Sequence, residues 1–127
     1  MTKLRELYRC EICGNIVEVV HEGAPSLVCC GKPMIKLEAK TEDKGQEKHV
    51  PVVEETDSGI TVKVGSIKHP MEDGHYIKFI EVLLKDKIMR KELRPGEIPE
   101  AKFCTIKSDV IEAREFCTVH GLWKNKQ

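Results

Sequence analysis

Alternating apolar and polar residues in the second half of the chain predict β-strands. Ile60–Val64 alternates strictly, Tyr76–Leu84 forms a longer β-rich run, and Ala101–Ile106 repeats the two-residue period. Residues typical of turns separate these runs at 57–59, 72–74 and 95–96. Several short strands at this spacing are typical of an antiparallel β-sandwich.

The segment 110–116 is the most ambiguous part of this pattern. Its residues are also compatible with a short helix that begins after Ser108 and Asp109. We predict a strand, because the neighbouring segments are strands.

The first 39 residues form a segment that is too short to fold on an apolar core alone. They contain two short β-like stretches, Ile16–Val20 and Met34–Glu38. Segments under about 40 residues rarely fold without a disulfide or a metal, so we expect a metal to take the place of a core. The polar stretch 40–48 has no large apolar side chain and is typical of a linker. The predicted organisation is therefore a metal-binding domain at 1–39, a linker at 40–48 and an all-β domain at 49–127.

Composition and charge narrow the possible partners. Lys plus Arg and Asp plus Glu number 21 each in 127 residues, so the formal net charge is zero. Basic residues are interleaved with acidic ones and aromatic residues are few, which disfavours nucleic acid or an anionic membrane as a partner. No run approaches the roughly 18 apolar residues of a membrane span, and the charged start of the chain does not resemble a signal peptide. We therefore expect a soluble, cytoplasmic protein.

Four of the six cysteines lie near the start of the chain. Cys10 and Cys13 are two residues apart, a spacing that brings both sulfurs to one metal ion. Cys29 and Cys30 are adjacent, so binding both to the same ion requires a tight turn, which Gly31 favours. In a reducing cytosol this pattern favours metal over disulfides, although a structural zinc site or a disulfide pair remains an alternative. Iron and zinc would both fit four thiolates.

A second group of candidate ligands lies later in the chain. Cys117 and His120 again have a two-residue spacer, His69 and His75 share one short loop, and His49 opens the all-β domain. Four imidazoles and one thiolate do not form a tetrahedron, and around an octahedral metal they leave one position open. Taken singly, each histidine is more often structural than a metal ligand.

Three further residues are not assigned to a site. His21 lies between the two cysteine pairs and is expected on the surface. Cys104 lies in an alternating segment and is expected to be a buried apolar filler. Trp123 follows the last candidate ligand, and we expect core packing, with shielding of an imidazole as the alternative.

Five motifs, taken together, resemble desulfoferrodoxin, the two-iron form of superoxide reductase. In chain order they are C-x-x-C-G at 10–14, C-C-G at 29–31, E-K-H-V-P at 47–51, H-P-M-x-x-x-H at 69–75 and C-x-x-H-G-L-W at 117–123. The resemblance covers essentially the whole chain. It implies a desulforedoxin-like N-terminal domain, an immunoglobulin-like antiparallel β-sandwich, two non-haem iron ions per chain and a homodimer.

The resemblance also implies the ligands of each iron. It assigns four cysteines to the first iron: Cys10, Cys13, Cys29 and Cys30. It assigns four equatorial histidines and an axial cysteine to the second iron: His49, His69, His75, His120 and Cys117. His120 would bind through Nδ1 and the other three histidines through Nε2.

Glu47 and Lys48 directly precede His49, and the residues alone favour a solvated charged linker. The resemblance instead implies that Glu47 becomes the sixth ligand of the ferric iron. It implies that Lys48 attracts superoxide and assists protonation.

The implied reaction is the one-electron reduction of superoxide to hydrogen peroxide at the ferrous second iron, without release of dioxygen. Neutral imidazoles and one thiolate leave Fe(II) with a net positive charge, which attracts a small anion. The thiolate opposite the open position donates electron density through the metal. A rubredoxin-like protein or another donor would restore the ferrous state. The alternative is a non-enzymatic iron electron carrier or a zinc-ribbon-type interaction module.

Overall fold

The computed structural model describes residues 1–23, 26–42, 49–65 and 69–125. The chain forms two compact units, Met1–Glu38 and Ala39–Gln127. Within the described residues every pair of neighbouring strands is antiparallel, and the only helical segment is a 3-10 turn at Lys107–Asp109. The predicted all-β class is therefore confirmed. No helix in the described part of the chain has the length and apolar character that crossing a membrane requires.

The first unit contains five very short strands. They are β1 (Leu7–Arg9), β2 (Ile16–Glu18), β3 (Val28–Cys29), β4 (Lys32–Pro33) and β5 (Ile35–Lys36). Strands β2, β1 and β5 form one sheet in that order, and β3 and β4 form a separate hairpin. The two β-like stretches expected in this unit contain β2 and β5.

The β3–β4 hairpin turns within two residues, Cys30 and Gly31. Their φ angles are 51° and 75°, and positive φ at both central residues is the signature of a type I′ hairpin turn. Glycine adopts this conformation without strain, whereas a cysteine rarely does. The turn therefore explains how two adjacent cysteines reach one cluster, at the cost of some backbone strain at Cys30.

The second unit contains seven strands in two sheets. They are β6 (Pro51–Thr56), β7 (Gly59–Val64), β8 (Ile77–Leu83), β9 (Ile88–Glu92), β10 (Glu100–Phe103), β11 (Glu112–Cys117) and β12 (Gly121–Lys124). One sheet has the order β10-β7-β6, and the other has the order β12-β11-β8-β9.

The two sheets of the second unit share one hydrophobic core. Strand β7 contributes Ile60 and Val62, and β10 contributes Phe103, all from the three-stranded sheet. The facing residues Ile80 and Val82 come from β8 of the four-stranded sheet. Because both sheets bury one face against the other, the unit is a β-sandwich, as predicted.

Strand β11 settles the ambiguous segment of the sequence. Glu112–Cys117 is a strand that pairs with both β8 and β12, so the choice of strand over helix for 110–116 is confirmed. Its register shifts between Phe116 and Cys117, which marks a bulge at the end of the strand.

The expectation that Cys104 is a buried filler is wrong. Strand β10 ends at Phe103, and Cys104 is exposed in the turn that follows. The inward positions of β10 are Ala101 and Phe103, so the next residue points away from the core.

Most of the predicted linker, 43–48, lies outside the described residues. Lys40 is described and lies beside β12, because its backbone N–H donates to Leu122 O at 3.0 Å and its carbonyl accepts from Lys124 N at 2.9 Å. Lys40 is therefore part of the second unit. The predicted boundaries at 39 and 49 stay a prediction.

Candidate metal centres

The first candidate centre is a cluster of four cysteines in the first unit. One sulfur from each of Cys10, Cys13, Cys29 and Cys30 lies within 4.8 Å of every other. The Cys13 and Cys29 sulfurs are 3.5 Å apart, too far for the roughly 2.05 Å of a disulfide bond. Around a tetrahedral ion with metal–sulfur distances of about 2.3 Å, neighbouring sulfurs are about 3.8 Å apart. The cluster therefore has the size of a four-thiolate metal site.

The thiols of this cluster have strongly separated acidities. The Cys13 N–H donates to Cys10 Sγ at 3.4 Å, and this backbone hydrogen bond is the main cause that lowers the pKa of Cys10 to about 6. Hydrogen bonding with neighbouring thiols, first of all Cys13, raises the pKa of Cys30 to about 12. Four thiolates repel one another at this distance, so a bound cation would be needed to ionise all four.

The second candidate centre contains a ring of four histidines at one end of the sandwich. Neighbouring imidazole centroids are 4.8 Å apart for His49 and His69, 4.9 Å for His69 and His75, 5.0 Å for His75 and His120, and 4.7 Å for His120 and His49. Each neighbouring pair is tilted by 67° to 87°. The four rings therefore form a closed cycle with nearly equal sides, as four imidazoles around one ion require.

Donor atoms of neighbouring ligands lie close together in the second centre. His49 Nε2 lies 3.0 Å from His120 Nδ1, and Cys117 Sγ lies 3.4 Å from His69 Nε2 and 3.8 Å from His120 Nδ1. Two nitrogens at adjacent corners of a square around an ion about 2.1 Å away would be about 3.0 Å apart. The arrangement therefore fits four equatorial imidazoles with one axial thiolate.

The protonation and hydrogen bonding of these residues also fit a metal. His75 Nε2 is buried and has no hydrogen-bond partner among the described residues. His69 Nδ1 contacts Pro70 O at 2.6 Å, so its proton is held there and its Nε2 lone pair faces the cluster. Burial lowers the pKa of His69 to about 4, which keeps the imidazole neutral. Burial raises the pKa of Cys117, so a nearby cation would favour its thiolate.

Three separate segments position the ligands of the second centre. His49 lies just before β6, His69 and His75 lie in the loop between β7 and β8, and Cys117 and His120 lie at the end of β11 and in the turn to β12. All of these segments meet at the same end of the sandwich, because β6, β7, β8, β11 and β12 each begin or end there. Both sheets of the sandwich are therefore needed to assemble the second centre.

The ligand-bearing loop 69–75 is fastened to the strand ends beside it. Ile77 N lies 3.4 Å from Met71 Sδ, and Tyr76 N donates to Thr118 Oγ1 at 3.1 Å. Thr118 N in turn donates to Tyr76 O at 3.0 Å. These contacts hold the loop against the β11–β12 turn, which carries two further ligands.

The structure brings eight of the nine predicted ligand residues into two groups whose donor atoms lie within 4.8 Å of one another, and the ninth, His120, adjoins the second group with its Nδ1 3.0 Å from His49 Nε2. Glu47 and Lys48 lie outside the described residues, so their predicted roles stay predictions. His21 is exposed, as expected. Trp123 is buried, as expected, and its indole also stacks on His49 with a centroid distance of 4.6 Å.

Sequence reasoning did not identify Lys40 as a neighbour of the second centre. Its Nζ donates to His120 O at 3.0 Å, across 80 residues of sequence. Lys40 carries no motif of its own in the sequence, and only the pairing of its backbone with β12 brings it to the site.

Fold and sites together define a class of protein. It is an all-β metalloprotein whose small four-cysteine unit precedes a sandwich with a four-histidine, one-cysteine centre. Family models match both parts of the chain: "Desulfoferrodoxin, N-terminal domain" matches residues 2–37 and "Desulfoferrodoxin" matches residues 41–126. The chain belongs to the desulfoferrodoxin family.

Individual relatives match nearly the whole chain. A desulfoferrodoxin homolog from Archaeoglobus fulgidus is 53% identical over 125 residues, which covers 98% of this chain and 99% of that protein. A desulfoferrodoxin from Syntrophotalea carbinolica is 52% identical over 126 residues and covers 99% of each chain. The crystal structure of the superoxide reductase from Treponema pallidum has a TM-score of 0.79 and 32% identity, and the match covers 95% of this chain and 97% of that one.

Family membership and the two donor clusters together confirm the predicted cofactors. They are two non-haem iron ions per chain, one with four cysteines and one with four histidines and a cysteine.

Proposed function

We propose that the protein is a superoxide reductase, with the four-histidine, one-cysteine centre as its active site. The observation that carries this proposal is the closed ring of four imidazoles with a single thiol, Cys117, close to His69 and His120. Five donors of this kind leave one octahedral position for a substrate. The similarity of this chain to the superoxide reductase from Treponema pallidum supports the same activity.

The assigned ligands are the nine residues of the two clusters. Cys10, Cys13, Cys29 and Cys30 would hold the first iron, and His49, His69, His75, His120 and Cys117 would hold the second. Iron at the second centre would supply the single electron that the reaction requires. The overall reaction consumes one superoxide, one electron and two protons, and it releases hydrogen peroxide without dioxygen.

The donor set itself selects a small anionic substrate. His69 is neutral because burial lowers its pKa to about 4, so this imidazole contributes no positive charge of its own that would repel the metal. One thiolate would neutralise only part of a divalent charge, so the loaded centre would keep a net positive charge that attracts superoxide. The Cys117 thiolate would donate electron density to the bound iron.

We also assign roles to the two charged residues that directly precede His49 in the sequence. Lys48 would attract superoxide and assist its protonation, and Glu47 would bind the spent ferric iron as the sixth ligand. These roles come from the family resemblance of the motif at 47–51. A rubredoxin-like electron donor, a homodimer and a cytoplasmic location stay predictions.

A carrier or a zinc-ribbon module would use only the four-cysteine cluster. Neither role accounts for the second cluster, where His49 Nε2 and His120 Nδ1 lie 3.0 Å apart and the buried Cys117 sulfur lies 3.8 Å from His120 Nδ1. This observation favours the enzyme over both alternatives.

The test measures the products of superoxide consumption by the reduced protein with two irons per chain. Pulse radiolysis should show superoxide consumed, with about one hydrogen peroxide formed for each and little dioxygen. Cys117→Ser should abolish the thiolate charge-transfer band and lower the rate by more than the roughly 10- to 100-fold typical when a group behind a ligand is removed. Lys48→Ile should slow superoxide association and weaken its dependence on ionic strength.

Cys104→Ser is the matched control, because Cys104 is exposed and belongs to neither cluster. It should keep both the band and the rate. Dioxygen as the dominant product, or full activity in Cys117→Ser, would overturn the proposal.

A further inference from the structure

Trp123 contacts two of the four candidate histidine ligands at once. Its indole stacks on the His49 ring, with centroids 4.6 Å apart and planes inclined by 14°. Its Nε1–H donates to His120 O at 3.2 Å. Trp123 is buried, so one rigid ring fixes both the face of one ligand and the backbone of another.

Lys40 reaches the same point from the beginning of the second unit. Its Nζ donates to His120 O at 3.0 Å and lies 5.1 Å from the Trp123 ring centroid, within the range of a cation–π interaction. Its backbone N–H and its carbonyl both form hydrogen bonds with β12, at Leu122 and Lys124 respectively. The position of the ammonium group is therefore set by strand pairing as well as by the flexible side chain.

His49 and His120 need such support because they come from distant segments. They are 71 residues apart in sequence, yet His49 Nε2 and His120 Nδ1 lie 3.0 Å apart. When both nitrogens present lone pairs to a metal, those lone pairs also face each other before the metal arrives. Contacts from behind the rings lower the cost of holding them in this arrangement.

We propose that Trp123 and Lys40 are positioning residues for the second metal centre. Trp123 fixes the plane of His49, Trp123 and Lys40 together fix the carbonyl of His120, and the Lys40 charge favours the reduced state of the centre. This inference rests on the proposed function of that centre.

The charge of Lys40 gives the proposal a readout that simple packing lacks. A cation next to a ligand stabilises the less positive metal state, so it raises the reduction potential of the centre. Lys40 is exposed, so dissolved salt should reduce this effect.

The experiment uses the iron-loaded full chain and two measurements on each variant. The first is the rate at which a chelator removes iron from each centre, followed by the separate absorption of the two centres. The second is the reduction potential of the second centre at low and high salt. The four-cysteine centre of the same molecule is the internal control.

The tryptophan variants separate stacking from hydrogen bonding. Trp123→Leu should speed iron loss from the second centre about 10- to 100-fold, with the first centre unchanged. Trp123→Phe keeps an aromatic ring but loses the N–H donor, so it should fall between Trp123→Leu and the wild type. A wild-type rate of iron loss in Trp123→Leu, or a faster loss fully accounted for by a lower free energy of unfolding of the second unit, would overturn the proposal.

The lysine variants test the charge. Lys40→Gln should lower the potential of the second centre, less so at high salt, and Lys40→Arg should restore it. Lys124→Gln is the matched control, since Lys124 is on β12 but its ammonium lies 4.0 Å from Glu112. It should leave the potential unchanged. Equal potentials in Lys40→Gln and the wild type would overturn the assigned role of the charge.

The same measurements separate this inference from the proposed function. A wild-type protein that consumes superoxide, together with variants that match it in iron loss and potential, would overturn only the positioning roles. A wild-type second centre that takes up no iron would overturn both.

Discussion

At the scale of single residues, the same side-chain type has different roles according to its local backbone. Cys13 is separated from Cys10 by a two-residue spacer and joins a cluster, whereas Cys104 follows the end of β10 and is exposed. The spacer is readable in the sequence. The exposure of Cys104 depends on the residue at which β10 ends. The alternating pattern alone did not predict that β10 ends at Phe103.

Replacing a cysteine in each setting should separate these roles. Cys13→Ser removes one of four sulfurs from the first cluster, so we expect loss of the first iron and about half of the total iron content. The second centre should keep its charge-transfer band, because its ligands lie in the other unit. Metal analysis and the absorption spectrum of the purified protein provide the measurement.

Cys104→Ser is the control for that experiment and should keep both irons. An equal iron loss in both variants would contradict the assignment of Cys13 to the first cluster.

The ligand types were predictable from the sequence, but the contacts behind them were not. The motifs at 69–75 and 117–123 and the family resemblance pointed to His69, His75, Cys117 and His120. The approach of Lys40 to His120 depends on a parallel bridge between Lys40 and Trp123. Residues so far apart in sequence give no periodic signal of such a bridge.

At the scale of elements, strands with clean alternation were predictable, whereas the edge strand β9 was not. β7 and β8 lie within the predicted runs. β9 was not predicted individually: it lies at the edge of its sheet, and three of its five residues are exposed. In an edge strand with many exposed, charged residues, the alternation of apolar and polar positions is too weak to be recognised in the sequence.

Gly59 begins β7 at a point where no other residue fits. Its φ is +155°, and a Cβ there would overlap the carbonyl oxygen of Phe103 on β10. Gly59→Ala should therefore lower the free energy of unfolding by about 3 kcal/mol or more, because both the clash and the backbone conformation are unfavourable. Urea denaturation of the iron-loaded protein is the measurement.

Gly96→Ala separates the two causes. Gly96 also has a positive φ, +89°, but a Cβ there meets nothing within 4 Å. It should lower the free energy of unfolding by only about 1 to 2 kcal/mol. An equally mild effect at Gly59 would mean that β7 and β10 separate easily at that point.

At the scale of the whole molecule, the four-stranded sheet is joined by a buried charge cluster. Glu81 on β8 is fully buried, and its two carboxylate oxygens accept hydrogen bonds at 2.6 Å from Arg114 on β11 and Arg90 on β9. Glu81 lies directly opposite both arginines in the strand register. The sequence shows Glu81 only as an acidic residue inside an apolar run, because its partners depend on which strands become neighbours.

Removing the negative charge of Glu81 should destabilise the protein. Glu81→Gln keeps the size of the side chain but leaves two guanidinium groups without their carboxylate, one of them on the buried Arg114. Breaking a buried ion pair by removing one partner costs about 3 to 5 kcal/mol, so the free energy of unfolding should fall by about that amount. The matched control is Glu54→Gln, which removes the carboxylate of an exposed pair with Lys63 on β6 and β7. Exposed pairs contribute about 0 to 1 kcal/mol, so this variant should stay close to the wild type in urea denaturation. A loss at Glu81 no larger than the loss at Glu54 would mean that apolar packing alone joins β8, β9 and β11.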